Sequence, residues 1–564
     1  MFRNPIERQP YAVPGSWMSF FLYHGGNGMH PGRNGLYLRS NLMPDSGGGG
    51  DAIFKLILLD IQGNELPFSV ECTPGMLTLQ GQTGRTEILF DRPNRLRFRN
   101  VNSRLRLSTE RKVTSIQQFL QTGPEVRALF CLTPVNFLLH IYPLSSNGTV
   151  KASTADGWIE LAGDENALLE GPDGESDRSP METFDEAASR LEQDFEEFRR
   201  SFPAQPGYEE TRDQACFLLW SLRTSPRGPV RRPMTLVSRV KMSGCWAWDH
   251  CFPALASHDP QWAYDDFMVM LDSVDEQAGI HDLLSPGYTI DIYTKPPIHG
   301  WACSQLLLRH PHFFNAPERL QELYQALAHW QNYWTKTRDI FHRGMPCCFH
   351  GNDSGWDNSS LFLSPLPLST PDIQAFLVLQ AETLETLASQ LHRPDSEREA
   401  WLRQRDRLLH TLLEQFSDGR QFYAVNANGE KCDPQGDSLQ LFLPLLLEKR
   451  LPASLRNALL LGLKSPGRFL TPYGLATESI SSDIYTPDGY WRGPIWAPPT
   501  LMLVHALRHL DETEFARQLA TSFCDLCRHQ GFYENFNALT GMGQRDSGMS
   551  WTASTFLILQ EWMR

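Results

Sequence analysis

Two carboxylic acids in separate aromatic loops are the residues of this chain best suited to acid–base chemistry. Asp357 follows Trp356 in the segment 350–359, and Glu534 follows Tyr533 in the segment 532–538. An indole beside a carboxyl group excludes water, which raises the pKa of the acid and suits it to donate a proton. Paired carboxyl groups on facing loops are what glycoside hydrolysis needs, one to protonate the leaving oxygen and one to activate water. The alternative for the first segment is that its Asp and Asn residues only form turns.

Tryptophans are concentrated near these acids. Thirteen of the fifteen tryptophans follow residue 200, and many lie in loops rich in Gly, Pro and Asp. Indole rings in polar loops suit a ligand with apolar faces and polar edges, such as a sugar ring, although they could also simply pack the loops. The aromatic residues expected to contact a sugar are Trp246, Trp248, Trp356, Tyr490, Trp491 and Trp496.

Four polar residues in the same loops could also bind the ligand. Asp249 and Asp353 can accept hydrogen bonds from sugar hydroxyls, Lys295 could reach the pocket, and Arg492 could orient a carboxylate. Each has a structural alternative. Asp249 could cap the following helix, Lys295 could be solvent-exposed, and Arg492 could stack on a tryptophan.

Composition excludes several classes of protein. The chain of 564 residues has a formal net charge of −14, which disfavours nucleic acid as the main partner. The first fifteen residues show no secretory signal, and no apolar run has the length of a membrane span. Eleven cysteines without a repeated spacing indicate a reducing, cytoplasmic location. Cys524 and Cys527 lack a second ligand pair, and no EF-hand-like loop occurs, so we predict no cofactor and no metal; a structural Ca²⁺ has no supporting motif.

Two regions with different hydrophobic periodicity are visible. Residues 1–170 contain short apolar or alternating runs separated by turn residues, which predict a β-sandwich. The seven predicted strands are 54–61, 76–80, 87–90, 96–98, 105–107, 126–131 and 137–141. Residues 171–205 are predicted to be a linker with a helix that Thr183 caps.

Residues 206–564 are predicted to be almost entirely helical. The candidate helices are 208–224, 261–278, 299–310, 317–337, 371–391, 395–416, 437–448, 453–463, 494–509, 511–530 and 549–562. About twelve helices joined in hairpins favour a closed (α/α)6 barrel, and the chain as a whole is predicted to be mostly α. An α-solenoid would fit the count, but no fixed-period repeat is present.

The loops, taken in order, resemble those of glycoside hydrolase family 63, in particular its bacterial branch of mannosylglycerate and glucosylglycerate hydrolases and related α-glucosidases. The resemblance covers about residues 240–555 and rests on Trp248-Asp249, Lys295-Pro296-Pro297, Ser354-Gly355-Trp356-Asp357-Asn358-Ser359, Tyr490-Trp491-Arg492-Gly493-Pro494-Ile495-Trp496 and Tyr533-Glu534-Asn535-Phe536. It implies an (α/α)6 catalytic barrel, an N-terminal β-sandwich and hydrolysis with inversion. By position, Asp357 matches the general acid and Glu534 the general base.

The resemblance also assigns a sugar subsite and shows two departures. Trp248, Asp249, Trp491, Arg492 and Trp496 would line the subsite of the non-reducing sugar, and Trp551 would join them. The family often has Glu-Ser-Gly-Met-Asp where this chain has Asp353-Ser-Gly-Trp356-Asp357, and glutamine replaces Lys295 in some relatives. These departures bear on the substrate.

The sequence therefore predicts an inverting, exo-acting hydrolase of α-glycosides, most simply α-glucosides, with carbohydrate as its partner and no membrane. A trehalase or debranching-type glucosidase, a sugar epimerase that uses paired histidines, and a non-catalytic sugar-binding protein are the alternatives. Linkage, aglycone and oligomeric state are not determined by the sequence.

Overall fold

The chain was analysed as a computed structural model that describes residues 2–25, 33–42, 52–109, 117–132, 135–171, 182–433 and 435–564. Residues 172–181 of the predicted linker region lie outside the described residues. Helices account for 39% of the chain and strands for 24%, so the protein combines helices and sheets rather than being mostly α. No helix among the described residues has both the length and the apolar character needed to cross a membrane.

Two antiparallel sheets form the N-terminal region. One has the order β1-β2-β3-β8-β13-β12 and the other β4-β5-β6-β7-β14-β11-β10-β9. Their apolar faces pack together, as shown by the Phe54 and Phe130 rings, one from each sheet, whose centroids are 5.3 Å apart. The strands are β1 Met18–Tyr23, β2 Gly35–Ser40, β3 Ala52–Leu59, β4 Phe68–Cys72, β5 Leu77–Gly81, β6 Arg85–Arg92, β7 Arg95–Val101, β8 Arg104–Ser108, β9 Gln117–Thr122, β10 Glu125–Leu132, β11 Val135–Pro143, β12 Thr149–Ser153, β13 Trp158–Ala162 and β14 Glu165–Glu170.

The helix predicted after Thr183 is confirmed as α1, Phe184–Arg200. Thr183 accepts a hydrogen bond from the Glu186 backbone, and the Glu186 side chain accepts one from the Thr183 backbone. This capping box fixes the first turn. The helix packs against both strand β6 and the first helix of the next region, α2, Glu209–Leu222, and so connects the two regions.

The rest of the chain is helical, with short strand pairs in its loops. The helices are α3 Cys251–Ala256, α4 Pro260–Leu271, α5 His299–Arg309, α6 Pro311–Phe314, α7 Pro317–Asn332, α8 Pro371–Gln390, α9 Asp395–Gln415, α10 Ala453–Lys464, α11 Ala497–His509, α12 Thr513–Gln530 and α13 Ser550–Met563. A 3-10 segment, Leu439–Arg450, replaces the predicted helix 437–448 and contains Pro444, which cannot donate a helical hydrogen bond. The six-residue α3 was not predicted, because it is too short to show helical periodicity.

Helix packing follows a regular order. α3 packs on α5, α5 on α8, α8 on the 3-10 segment, that segment on α11, α11 on α13, and α13 on α3. A second layer lies against these elements: α4 contacts α3, α7 and α9 contact α8, α10 contacts the 3-10 segment, α12 contacts α11 and α13, and α2 contacts α13. The loops before α3 and α11 and the first turn of α13 meet at one end of the helical region, because Trp248 and Trp496 both contact Trp551.

Candidate active site

Short antiparallel strands connect the aromatic loops at this end. Strands β17 Cys245–Trp246, β18 Leu283–Leu284 and β19 Thr289–Ile290 form one sheet before α3 and α5. Strands β22 Ile495–Trp496, β23 Tyr533–Phe536 and β24 Gly543–Ser547 form another before α11 and α13. The first sheet places Asp282 next to the Trp246 loop, and the second places Glu534 next to the Trp496 loop. Two further strand pairs lie outside the site, β15 Arg223–Thr224 with β16 Met234–Thr235 and β20 Leu470–Thr471 with β21 Gly474–Leu475.

Lys295 is a buried cation surrounded by carboxylates. Its Nζ lies 3.2 Å from Asp282 Oδ1 and 3.7 Å from Asp357 Oδ1, and it donates a hydrogen bond to the Asn352 carbonyl at 3.3 Å. Burial alone would lower the pKa of Lys295, but the charges of Asp357, Asp282 and Asp249 outweigh this and raise it. Lys295 is therefore a fixed positive charge beside Asp357, and the alternative of a solvent-exposed lysine is wrong.

Asp249 is a buried carboxyl group in the same cluster. The N-cap of α3 is His250, with no side-chain capping bond, so Asp249 does not cap that helix. Burial raises the pKa of Asp249 to about 8, Lys295 opposes this rise, and Asp282 and Asp357 add to it. A carboxyl group with a pKa near 8 can donate a hydrogen bond to a bound hydroxyl group when it is protonated and accept one when it is ionised.

Glu534 lies on β23 with its carboxyl group buried. Its pKa is raised to about 7, mainly by burial and then by the charge of Asp546 on the adjacent strand β24, while hydrogen bonds from the Asp546 backbone and Tyr490 and the charge of Arg545 oppose the rise. The Asp546 N–H donates to Glu534 Oε2 at 3.4 Å. Glu534 thus has a pKa close to neutrality, where a carboxylate is an effective proton acceptor.

Tyr490 joins the two groups of carboxylates. Its phenol hydrogen-bonds to Glu534, and burial together with the charges of Glu534, Asp357 and Asp249 raises its pKa. The residue has a φ of 62°, a left-handed conformation that is unfavourable for a tyrosine and that often occurs in functional sites. Tyr490 therefore brings Asp357 and Glu534, which are distant in sequence, into one site.

The position of Asp357 is fixed by its neighbour. The Asn358 side chain donates to the Gly489 carbonyl at 3.0 Å and accepts from the Trp491 N–H at 2.9 Å. These two bonds tie the loop of Asp357 to the loop of Tyr490. One face of Asp357 stays accessible, with 29% of its side chain exposed.

Five tryptophans form a buried cluster behind the carboxylates. Trp491 stacks on Trp496 with ring centroids 3.8 Å apart and an interplanar angle of 11°, and Trp356 lies 4.8 Å from Trp491. Trp248 and Trp551 complete the cluster, 6.1 Å from each other, and Trp551 is 5.5 Å from Trp496. Because Trp356, Trp491 and Trp496 are at most 1% exposed, they serve mainly as the apolar wall of the site. Trp246 lies in the same loop as Trp248 and is only partly buried.

Residues 242–552 match a family model, the mannosylglycerate hydrolase MGH1-like glycoside hydrolase domain. That range is more than half of the chain and contains every predicted site residue. The chain belongs to this family. The predicted resemblance to glycoside hydrolase family 63 is confirmed.

Individual relatives match this family 63 member over segments shorter than the range of the family model. The mannosylglycerate hydrolase of Rubrobacter radiotolerans is 38% identical over 105 residues, 18% of this chain and 24% of the relative. That of Thermus thermophilus is 32% identical over 85 residues, 15% of this chain and 20% of the relative. The aligned segments thus span about a quarter or less of these curated relatives.

Two solved structures share the fold. The family 63 mannosylglycerate hydrolase from another strain of Thermus thermophilus, in complex with glucose, superposes with a TM-score of 0.53 at 22% identity, covering 62% of this chain and 99% of that one. A bacterial glucoamylase complexed with acarbose gives 0.62 at 10% identity, covering 99% of this chain and 95% of that one. At these identities the likeness concerns the fold.

Asp353 and Arg492, both predicted to bind the ligand, differ in how many partners their side chains already have within this family 63 chain. Asp353 forms an ion pair with Arg338 and accepts the backbone N–H groups of Thr294 at 3.1 Å and Phe349 at 2.7 Å. Its carboxylate therefore positions the loop before Lys295, and it has little capacity left for a ligand. Arg492 forms no ion pair with any described residue, and its buried Nε has no hydrogen-bond partner among them.

Three polar residues of the site were not predicted. Asp282 pairs with Lys295, Asp546 lies beside Glu534, and Arg39 of strand β2 reaches the same area. Arg39 donates to the Arg239 carbonyl at 2.5 Å, and its charge lowers the pKa of Asp546, which burial raises. The N-terminal sheet thus contributes a charge next to the neighbour of Glu534. No local pattern marks these residues, because each reaches the site through strand pairing or contact between regions.

Proposed function

We propose that this protein is an inverting, exo-acting glycoside hydrolase that cleaves α-glycosidic bonds in small glycosides, with Asp357 as general acid and Glu534 as general base. The observation that carries the proposal is the arrangement around Tyr490, which hydrogen-bonds to Glu534 and is also close enough to Asp357 for the charge of that carboxylate to raise the pKa of the phenol. Membership of a glycoside hydrolase family supports the reaction class.

The proposed reaction is a single displacement. Asp357 gives its proton to the glycosidic oxygen, and the resulting carboxylate is stabilised by Lys295, 3.7 Å away. Glu534 takes a proton from water as the water oxygen attacks the anomeric carbon from the opposite face of the ring. Inversion requires the two carboxyl groups to be roughly 6.5–9.5 Å apart, which leaves room for that water.

The neighbouring groups would then bind the sugar. We propose that Asp249, Trp246, Trp248, Arg492 and Trp551 line the subsite of the non-reducing residue. The elevated pKa of Asp249, about 8, lets its carboxyl group donate or accept a hydrogen bond near neutral pH.

We also propose the architecture that supports this site. The packing order of the helices corresponds to six inner and six outer elements, as in a closed (α/α)6 barrel. The proposed division is a β-sandwich domain over residues 1–170, a linker with helix α1 over 171–205 and a barrel over 206–564. A cytoplasmic location remains a prediction; the ten cysteines whose side chains the structure describes are all free thiols.

The substrate is proposed to be an α-glucoside or an α-mannoside with a small aglycone. The family and two relatives carry the name mannosylglycerate hydrolase, so mannosylglycerate and glucosylglycerate are the first candidates. An epimerase with paired histidines is disfavoured, because His250 and His299, whose rings are 5.1 Å apart, are 2% and 0% exposed.

Proton NMR of the anomeric region during turnover tests the proposal. The panel contains mannosylglycerate, glucosylglycerate, trehalose and α-linked disaccharides, and Glu534→Gln is the control. The expected result is that the β-anomer appears first and that the control is inactive. The α-anomer appearing first would refute inversion, and binding of a glycoside without turnover would indicate a sugar-binding protein.

A further inference from the structure

A cluster of side chains that could ligate a metal ion lies far from the carboxylates of the active site. His505 and His509 are four residues apart on α11, so their side chains project from the same face of the helix. Their ring centroids are 4.3 Å apart. Glu448, near the end of the 3-10 segment that packs against α11, faces both rings. At 1.5 Å rise per residue, the 13 residues from Trp496 to His509 span about 20 Å, so this cluster and the active site lie at opposite ends of α11.

The three side chains converge on one point. Glu448 Oε1 is 3.1 Å from His509 Nδ1 and 3.9 Å from His505 Nε2, and one ligand atom from each residue lies within 4.8 Å of the other two. Zn²⁺ bonds to imidazole nitrogen and carboxylate oxygen at about 2.0–2.2 Å, which places ligand atoms about 3.3 Å apart around a tetrahedral ion. Small side-chain rotations would bring these atoms to that spacing.

The surroundings favour a metal at this position. The His505 ring packs edge-on against Trp301, with centroids 5.5 Å apart, which fixes its orientation. Arg450 lies 3.9 Å from Glu448, but its guanidinium is bound by both carboxylate oxygens of Glu382 at 2.8 and 2.6 Å. Its charge is thereby offset, and Glu448 keeps an oxygen directed at the two imidazoles.

We propose that Glu448, His505 and His509 form a binding site for a divalent transition-metal ion such as Zn²⁺. The ion would take three protein ligands and complete its coordination with water. Because the site links the 3-10 segment to α11, a bound ion would connect two neighbouring elements of the helical region. Binding should therefore raise the thermal stability of the protein.

The other histidine cluster of the described chain is less suitable. His250, Cys251 and His299 are also close together and fully buried. However, His299 Nδ1 accepts a hydrogen bond from the Trp330 indole at 3.1 Å. A metal on the other ring nitrogen would require a proton on Nδ1, which would then oppose the indole N–H.

Zinc titration of the full-length protein against a chromophoric chelator tests the site. We expect one equivalent of Zn²⁺ to bind, His509→Ala and Glu448→Gln each to weaken binding at least tenfold, and His410→Ala, which alters an exposed histidine on α9, to have no effect. Melting temperature should rise with Zn²⁺ in the wild type and the His410→Ala control only. His509 is exposed, so its substitution should leave the fold intact.

Cobalt(II) substitution distinguishes this site from the cluster of His250, Cys251 and His299. Two imidazoles and a carboxylate give visible ligand-field bands without a thiolate-to-cobalt charge-transfer band. Absence of binding, Zn²⁺ affinity that is unchanged in both His509→Ala and Glu448→Gln, or a thiolate charge-transfer band that places the ion at Cys251 would each overturn the proposal.

Discussion

Replacing Glu534 with glutamine should stabilise the protein in a pH-dependent manner. Burial raises the pKa of Glu534 from 4.5 to about 7. An acid whose pKa is higher in the folded state than in the unfolded state binds protons more tightly when folded. It therefore lowers the free energy of unfolding as pH rises from about 4.5 to about 7, and its effect is constant above that range.

The size of this effect follows from the shift. A difference of about 2.5 pKa units corresponds to about 3 kcal/mol, at roughly 1.4 kcal/mol per unit. Glutamine does not titrate, so this contribution is absent from Glu534→Gln. Relative to wild type, the free energy of unfolding of the variant should be higher by up to about 3 kcal/mol at pH 8 and almost unchanged at pH 4.5. Any pH-independent change, such as an altered hydrogen bond to Tyr490, cancels when the two pH values are compared.

The assay is thermal unfolding of wild type and Glu534→Gln at pH 5 and pH 8. We expect the melting temperature of the variant to exceed that of wild type by a few degrees at pH 8, and by clearly less at pH 5. Glu514→Gln, which changes an exposed glutamate on α12, is the matched control and should show no pH-dependent difference. A difference between variant and wild type that is the same at both pH values would refute the reasoning that burial raises the pKa of Glu534 in the folded protein.

Three further predictions concern the same site. Asp357→Asn should lower kcat on alkyl α-glycosides about 10²–10⁴-fold and lower it much less on α-glycosyl fluorides, whose leaving group needs little protonation; equal losses on both would argue against a general acid. Since Glu534 must be ionised to act as a base, kcat/KM of the wild type should fall as pH drops below about 7, and a profile flat down to pH 5 would contradict that role. Lys295→Met leaves Asp282 buried without its cation, so it should lower the free energy of unfolding by about 3–5 kcal/mol at pH 7, and by less at pH 5, where the raised pKa of Asp282 lets it become protonated. Denaturant unfolding measures this, and Lys336→Met, at an exposed lysine, should be neutral.

Much of the secondary structure was predictable because it depends on local patterns. Helix α8, Pro371–Gln390, begins at a proline and was expected at 371–391, and α1 begins at the capping box that Thr183 indicated. The strands that were not predicted include β12, Thr149–Ser153, whose five mostly polar residues show little apolar alternation. Such a strand forms because a neighbour supplies its hydrogen bonds, which is a property of the sheet.

The sequence by itself determined the family, the loops that carry the chemistry and the two candidate catalytic acids. These are properties of short segments, such as a carboxyl group beside an indole or an amide beside an aspartate, and they are visible residue by residue. Asn358, for example, lies next to Asp357 in any fold.

Tertiary structure alone decided the electrostatics of the site. Lys295 became a buried cation because Asp282 and Asp357 lie within 4 Å of it, and Glu534 acquired a pKa near 7 because strand pairing buries it next to Asp546. Charge–charge interactions and desolvation depend on distance and water exclusion, which long-range packing sets. For the same reason only the fold shows that Arg39 of the N-terminal sheet acts on the carboxylate beside Glu534.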